Sequence, residues 1–457
     1  MTTMRPSEST AIITPPFRPK LVVDVELTAP LPTLLTRNAA GKEHDRALVI
    51  VRLHTEPVGI IDVDLSSGGC TPDQLGKAIW DTCGHAIADR MDATDGVDAM
   101  PVACPLEGLV TGPSRYLEER ERVLGNAPSI TVVVCTLGRR AQQLSACLAR
   151  LVDLSYPSME ILVVDNAPGR GSARTVVDQL PQDLRIPVRY TEEPRLGLSW
   201  ARNRGTEVAD GEILACIDDD EIPDPYWLAE IARGFASEPD VSCVTGSIVP
   251  AVIDTQAQDW FEQWGGHVKG RGFERAVFDL ATLGQQSPLY PLPPFGEGGN
   301  VAFRKSALLD VGGFDVALGA GTISGASEET EMFARLLLRG HRIVYQPSAL
   351  VRHRNRETRA ELEKQLYEYG TGLTAYFTAT IMRNPLLAGR VLKLLPGGVR
   401  DLVRKDSLSR AKMKDFPDSL RGLQRRGMVA GPIAYLRSRH HQRRVSQEHA
   451  AIMKGLG

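Results

Sequence analysis

Short, β-branched apolar runs alternate with amphipathic stretches through the middle of the chain. ITVVVCT (130–136) is apolar throughout, as expected of a strand buried on both faces. A helix is predicted over about 140–153, then a strand at EILVVDN (160–166), a Gly/Ser/Ala turn and a helix reaching Leu180. VRYTEE (188–193), a helix over 196–210, the strand EILACIDDDE (212–221), a helix over 227–236 and VSCVTGSIV (241–249) continue the series. Strand and helix alternating through short connections predict an α/β fold with a doubly wound, mostly parallel sheet and right-handed crossovers. Such sheets bind ligands beyond the carboxyl ends of their strands. The chemistry is therefore expected after Cys135, Val164 and Ile217.

The flanks read differently. Residues 1–20 are polar and Pro-rich and are expected to be disordered. Over 21–125, LVVDVEL, ALVIVRL and GIIDVDL read as strands, and Leu75, Ala78, Ile79 and Cys83 mark a helix from about Thr71 to Met91. This small α+β accessory module carries no motif tied to chemistry, so docking or packing is its expected role. The series above falls in a second unit over 126–356. Residues 357–457 form a basic helical C-terminal region, opening with a predicted helical pair over 357–382.

Composition narrows the class. With 42% hydrophobic and 24% charged residues over 457 positions, the chain suits a globular protein of two or three domains. No apolar run reaches the ~18 residues needed to cross a bilayer, and the start lacks a secretory stretch. Seven scattered cysteines without a C-x-x-C pair argue against a zinc site or a disulfide framework and suit reducing cytosol. The net charge of −3 hides an asymmetry. Residues 383–457 hold 17 Lys/Arg against 5 Asp/Glu, while the rest holds 36 against 51. A basic tail on an acidic body predicts an anionic partner such as a phospholipid surface or a polyphosphate-bearing substrate; a solvated helical tail is the plainer alternative.

The strand ends carry the candidate chemistry. Thr136 and Arg139 follow the first strand, Asp165 the second, and Asp218-Asp219-Asp220 the fourth. Three adjacent carboxylates repel one another and need a counter-charge. If the chain stays extended, Asp218 and Asp220 share one side. Paired carboxylates without a Cys/His cluster suit Mg2+ or Mn2+, which complete their shells with substrate phosphates. An Asp-rich helix N-cap before Pro223 is the plainer alternative. No Walker-A or G-x-G-x-x-G sequence follows the first strand, which removes the usual NTPase and dinucleotide readings.

VVVCTLGRR, EILVVDN, LGLSWARNRG, GEILACIDDDEIPDPYWL, GEGGNVAFRKSALLDVGGFD, SEETEMFARLLLRG and VRH, in that order, resemble the signatures of family 2 glycosyltransferases with the GT-A fold. The resemblance covers about 129–356. It implies an inverting, metal-assisted transfer from a nucleotide-diphosphate sugar to a hydroxyl acceptor, either a glycan or lipid-linked. Residue by residue, it implies that Thr136 and Arg139 line the nucleoside pocket, that Asp165 bonds the base and that Arg202 faces the nucleotide. Asp218 lies on the ribose side, with Asp219 beside it. Asp220, with Asp218 and His353, meets the metal and diphosphate. Gly298, Gly299 and Asn300 close over the donor sugar, and Glu328-Glu329 matches the pair whose second member is the base. Where the family has Asp, this chain has Glu329; the extra methylene moves the carboxylate by roughly 1 Å, enough to cost about 100-fold in rate.

The helix predicted over 328–339 is expected to be capped by Ser327, with Glu328 and Glu329 heading the stripe Met332, Phe333, Leu336 and Leu337. Glu331 and Arg335 read as an ordinary surface pair. The Gly-rich loop 313–329 is a candidate lid. Trp260 and Trp264 are either a stacking platform for a sugar or core packing. A non-catalytic sugar-nucleotide or glycan-binding protein is the alternative function, motivated by Glu329; a nucleotidyltransferase lacks support in its first loop. The expected setting is the cytoplasm, peripheral on the inner face of the cell membrane, in cell-envelope polysaccharide synthesis, with no nucleic-acid partner.

Overall fold

The computed structural model describes residues 17–92, 104–109, 114–181, 183–283, 288–289, 295–394, 396 and 416–455. The first 16 residues of the stretch expected to be disordered lie outside them, whereas Lys20 already opens a strand. β1 (Lys20–Glu26), β2 (Arg46–Leu53) and β3 (Glu56–Asp64) form a three-stranded sheet, β1 parallel and β3 antiparallel to β2. α1 (Pro72–Asp92) covers it with Leu75, Ile79, Cys83 and Ile87. Gly59 is required there, because a Cβ would lie 2.3 Å from Cys83 Sγ.

After α2 (Arg115–Leu124) come β4 (Ile130–Thr136), α3 (Ala141–Val152), β5 (Met159–Asp165), α4 (Ala173–Asp178), β6 (Val188–Glu192), α5 (Leu198–Val208) and β7 (Ile213–Asp218). Then follow β8 (Glu221–Pro223), α6 (Trp227–Ala236), β9 (Val241–Pro250), α7 (Gln256–Trp264) and β10 (Ala276–Phe278). β11 (Asn300–Arg304), α8 (Lys305–Asp310), α9 (Glu328–Leu338), β12 (Arg342–His353) and α10 (Arg359–Arg383) complete the core. The strands form one sheet in the order β10-β12-β9-β11-β7-β4-β5-β6, with β8 paired to β12. β4, β5, β6 and β7 are parallel, as the alternation of strand and helix predicts. β11 inserts antiparallel between β7 and β9, a reversal that apolar periodicity does not encode.

Period-two alternation explains the two packed faces. Val132, Val134, Ile161 and Val163 meet Leu144 and Leu148 of α3 and Trp227 and Ile231 of α6. Val133, Leu162 and Leu214 meet Ala201 of α5 and Met332 and Phe333 of α9. Each large apolar side chain fully buried in this way contributes about 1.5–3 kcal/mol. The chain runs β4, β5, β6 to one side and then places β7 on the other side of β4. The ends Thr136, Asp165 and Asp218 therefore meet at this switch point, Thr136 opposite Asp165 and Cys135 opposite Asp218.

The expected helical pair over 357–382 is one continuous helix, α10. Its central glycines do not break it; they admit a close neighbour. A Cβ on Gly370 would lie 1.9 Å from Gln424 O, and one on Gly427 would lie 2.1 Å from Tyr367 O. The C-terminal helix (Leu423–Gly455) thus packs against α10. Among the described residues, no helix is long and apolar enough to cross a membrane.

Candidate active site

The first strand ends hold one wall. Thr136 Oγ1 donates to Asp219 and accepts from Gly138 N at 2.9 Å. Asp165 is buried; its carboxylate accepts from Tyr190 OH at 2.8 Å and from Ala167 N at 2.9 Å. Beside it, Asn166, which the sequence places at the strand end without a role, is a latch. Its amide bonds Glu193 O, Arg195 O and Gly197 N, which sets the entry to α5. Arg139 is exposed on the loop before α3.

The aspartate run is not an extended strand. A turn at 219–220 sends its three acids to different partners, so the extended chain that the alternation assumes ends at Asp218. Nor do they cap a helix, because β8 follows directly. Asp218 Oδ1 lies 3.7 Å from Arg202 Nη2. Asp220 lies 2.7 Å from Arg140 Nη1, 3.4 Å from Arg356 Nη1 and 3.5 Å from His353 Nε2. Burial works against the Asp220 charge, but His353, Arg356 and Arg140 outweigh it and hold the carboxyl below its usual range. Asp219 goes the other way: burial, opposed by the Thr136 hydroxyl and reinforced by Asp220 and Asp218, pushes it up to about 6. Burial also raises Asp218 against the pull of Arg202.

Glu221 is a fourth acid of the run that the sequence reading leaves without a role. It is buried, and Oε2 accepts from Asp218 N at 3.0 Å. Oε1 has no hydrogen-bond partner among the described residues and sits against Gly299, where a Cβ would lie 2.4 Å away. Burial first, then Asp218, raises this carboxyl well above its ordinary range.

Arg202 binds the halves of the site together rather than presenting a free guanidinium to a nucleotide. Nη1 donates to Glu328 Oε1 and Nη2 to Gly298 O, both at 2.9 Å. Glu328 is thereby buried in an ion pair, whereas the neighbouring Glu329 is partly exposed and packs on Gly298. Burial and the adjacent Glu328 charge hold the Glu329 carboxyl well above the usual range. Ser327 does not cap α9: it is left-handed, at φ 73°, and its side chain makes no capping bond. Glu331 is not on the surface either; it is buried between Arg335 at 2.7 Å and Arg383 at 3.2 Å.

Asn300 faces the core rather than the donor side. Its amide accepts from Trp227 Nε1 at 2.9 Å and donates to Ser247 O at 2.8 Å and Ala349 O at 2.7 Å. His353 is buried, with Nδ1 2.9 Å from Asn355 Oδ1 and its ring edge-on to His267 at 4.7 Å. Trp264 stacks on Tyr369 at 5.9 Å, and Trp260 joins the same apolar cluster, which favours packing over a sugar platform. The loop 313–329 is anchored: Ser199 Oγ donates to Leu318 O at 2.8 Å, and Tyr435 OH to Asp315 at 3.0 Å.

Among the described residues, no three carboxylate, imidazole or thiol groups converge as a ready metal site. The donor chemistry nevertheless suits a hard cation. The Asp218 side chain is 38% exposed, and Asp220 Oδ1 and His353 Nε2 already approach each other.

The profile for "Glycosyl transferase family 2" matches residues 131–312. Glucosyl-dolichyl phosphate glucuronosyltransferase of Haloferax volcanii is 25% identical over 239 residues, 51% of this chain and 72% of that protein. Pre-mycofactocin glycosyltransferase of Mycobacterium tuberculosis is 28% identical over 213 residues, 46% of this chain and 40% of that protein. Among solved structures, a mannosyltransferase from Pyrobaculum calidifontis in complex with GDP-Man and Mn2+ is 20% identical, with a TM-score of 0.42 over 70% of this chain and 92% of that one. The matched segment spans the strand ends from Thr136 to Asp220 and stops short of Glu328, Glu329 and His353. Residues 131–312 thus match the family 2 glycosyltransferases, and with the named relatives they support an enzyme of sugar transfer.

Proposed function

We propose that the protein moves a sugar from a nucleotide-diphosphate donor to a hydroxyl acceptor with inversion at the anomeric carbon. The observation that supports this most is the Arg202 guanidinium, which joins Asp218, the Gly298 carbonyl and Glu328 into one wall. The nucleoside would lie along Thr136, Arg139 and Asp165, and the diphosphate beside Asp218, Asp219 and Asp220. The donor sugar would then rest on Gly298 and Gly299, next to Glu329.

Glu329 is the proposed base. Of the two first-turn acids, Glu328 is engaged by Arg202, and Glu329 is the more accessible. Its raised proton affinity suits taking the acceptor proton as the new C–O bond forms and the bond to phosphate breaks. The nucleoside diphosphate departs with the bonding pair on the face opposite the attack. Mg2+ or Mn2+, held by Asp218, Asp220 and His353, would supply charge neutralisation to that leaving group. Arg140 and Arg356 flank the same carboxylate and would steady the diphosphate end.

The acceptor is proposed to be a glycan or a lipid-linked sugar, and the basic C-terminal region to rest on an anionic membrane surface. One experiment tests the reading: Glu329→Gln should abolish transfer while nucleotide-sugar binding persists. Full turnover in that variant would remove Glu329 as base.

A further inference from the structure

We propose that the N-terminal three-stranded sheet buttresses the active site: Arg52 and Asp24 grip Asp224 and Arg352, and so fix the spacing of Asp220 and His353. The inference rests on the proposed role of those last two residues.

The contacts form a continuous chain. β8 pairs antiparallel with β12, His353 opposite Glu221 and Arg352 opposite Ile222. Asp224 follows β8, and its amide donates to Leu350 O at 3.0 Å. Arg52, on β2, donates from Nη2 to Asp224 Oδ2 and from Nε to Asp24 Oδ1, both at 2.8 Å. The second oxygen of Asp24 takes Arg352. Four charges, Asp224, Arg52, Asp24 and Arg352, thus link the two sheets.

Their placement is what carries the inference. Asp224 is four residues beyond Asp220, and Arg352 directly precedes His353. The Arg52 and Asp224 side chains are 9% and 8% exposed, so their pair is strong and directional. The third Arg52 bond, Nη1 to Thr55 O at 2.9 Å, depends on the turn between β2 and β3. Glu26 holds that turn through the amides of His54 at 2.9 Å and Thr55 at 2.8 Å, both residues being left-handed. Ile50 packs against Val249 and Leu350, so an apolar contact reinforces the link. A module serving only to recruit a partner would not need its buried charges aimed at the strands that carry Asp220 and His353.

The test uses the full chain and keeps folding apart from positioning. Arg52→Met with Asp224→Leu replaces the buried pair by apolar groups, an exchange that commonly preserves stability. The readouts are the His353 imidazole 15N resonance, Mn2+ affinity in the presence of GDP or UDP, and thermal unfolding. The expected result is an unfolding midpoint near that of the parent, a shifted His353 resonance and Mn2+ affinity lowered about tenfold, as for outer partners of metal ligands. Arg52→Lys should recover part of both site readouts, and it carries the test if the double variant does not fold. A parental His353 resonance and parental Mn2+ affinity in the double variant would overturn the buttress. Failure of the parent to bind Mn2+ would instead overturn the metal reading, and the His353 resonance would still decide the buttress.

Discussion

Arg202 Nη1 lies 2.9 Å from Glu328 Oε1, and both side chains are buried. Such a pair is worth little beyond an apolar replacement but is costly to break on one side. Arg202→Met should therefore destabilise the protein by about 3–5 kcal/mol, because Glu328 stays buried without its partner. Arg202→Met with Glu328→Met should recover most of that loss in denaturant unfolding but not the activity. Recovery of both would mean that the pair only holds the fold.

The pH dependence follows from Glu329. Its carboxyl is held above the ordinary range by burial and by Glu328, so the folded protein keeps this proton longer than the unfolded chain does. A base must be deprotonated, so kcat/KM should rise with pH through an ionisation above the usual carboxylate range. Stability moves oppositely. The contribution of Glu329 is fully present below its unfolded pKa and is lost as pH rises through the folded value. Glu329→Gln should thus lose turnover yet gain stability over the parent toward alkaline pH. Unfolding midpoints of both proteins from pH 5 to 9 check the sign. A parent whose stability relative to the variant grows with pH would contradict it.

Glu221 offers a separate check. Burial and Asp218 raise its carboxyl well above the ordinary range, and Glu221→Gln keeps an acceptor for Asp218 N, so this variant should change stability by less than about 1 kcal/mol. Gly299→Ala should be far worse, because its Cβ would press on Glu221 Oε1. Circular dichroism melts of the two variants give the comparison. An intolerant Glu221→Gln would mean that the charged form is needed.

The sequence shows the strand ends at which the chemistry is expected, because β4, β5 and β7 are continuous apolar runs that end in polar residues; the strand order that brings those ends together is not legible there. It also shows the strands and helix of the N-terminal module. It does not show where Asn300 or Glu331 points. Both belong to motifs, but their partners, Trp227 and Arg383, lie 73 and 52 residues away. The surface expectation for Glu331 came from its i,i+4 neighbour alone, and the Ser327 cap from residue type without its left-handed backbone. Long-range pairing and backbone hand are set by packing, and neither leaves a local periodicity. Glu221 is legible only as one more acid in DDDE.

The contact between α10 and the C-terminal helix depends on small residues. A Cβ on Gly431 would lie 1.9 Å from Thr374 Oγ1 and 2.4 Å from Thr371 O. Gly431→Leu should force the helices apart and free Tyr435 from Asp315 and Gln442 from Trp200, both bonds that secure the loop before α9 or the start of α5. The expected results are faster proteolysis in the C-terminal helix and a several-fold fall in kcat. Unchanged proteolysis and kcat would show that the crossing adapts without consequence for the site.

The proposed membrane contact must be tested on one helix face, since that same helix also bonds Asp315 and Trp200. Deleting the C-terminal region would also remove Tyr435 and Gln442, so lost activity would say nothing about lipid. On the outward face, Val429, Ile433 and Leu436 are 82%, 58% and 49% exposed, at i, i+4 and i+7. Exposed Arg425 and Arg426 precede them and Arg437, Arg443 and Arg444 follow, an apolar row between basic ends that suits the interface of an anionic bilayer. Replacing all three apolar residues by Ser should leave unfolding unchanged and abolish pelleting with phosphatidylglycerol vesicles. Arg443→Gln and Arg444→Gln should each weaken pelleting by about fivefold, near 1 kcal/mol per charge. High salt should act in the same direction, because charges at a surface are screened. Equal pelleting of parent and triple variant would remove this face as the membrane contact, whatever the fate of the transfer reaction.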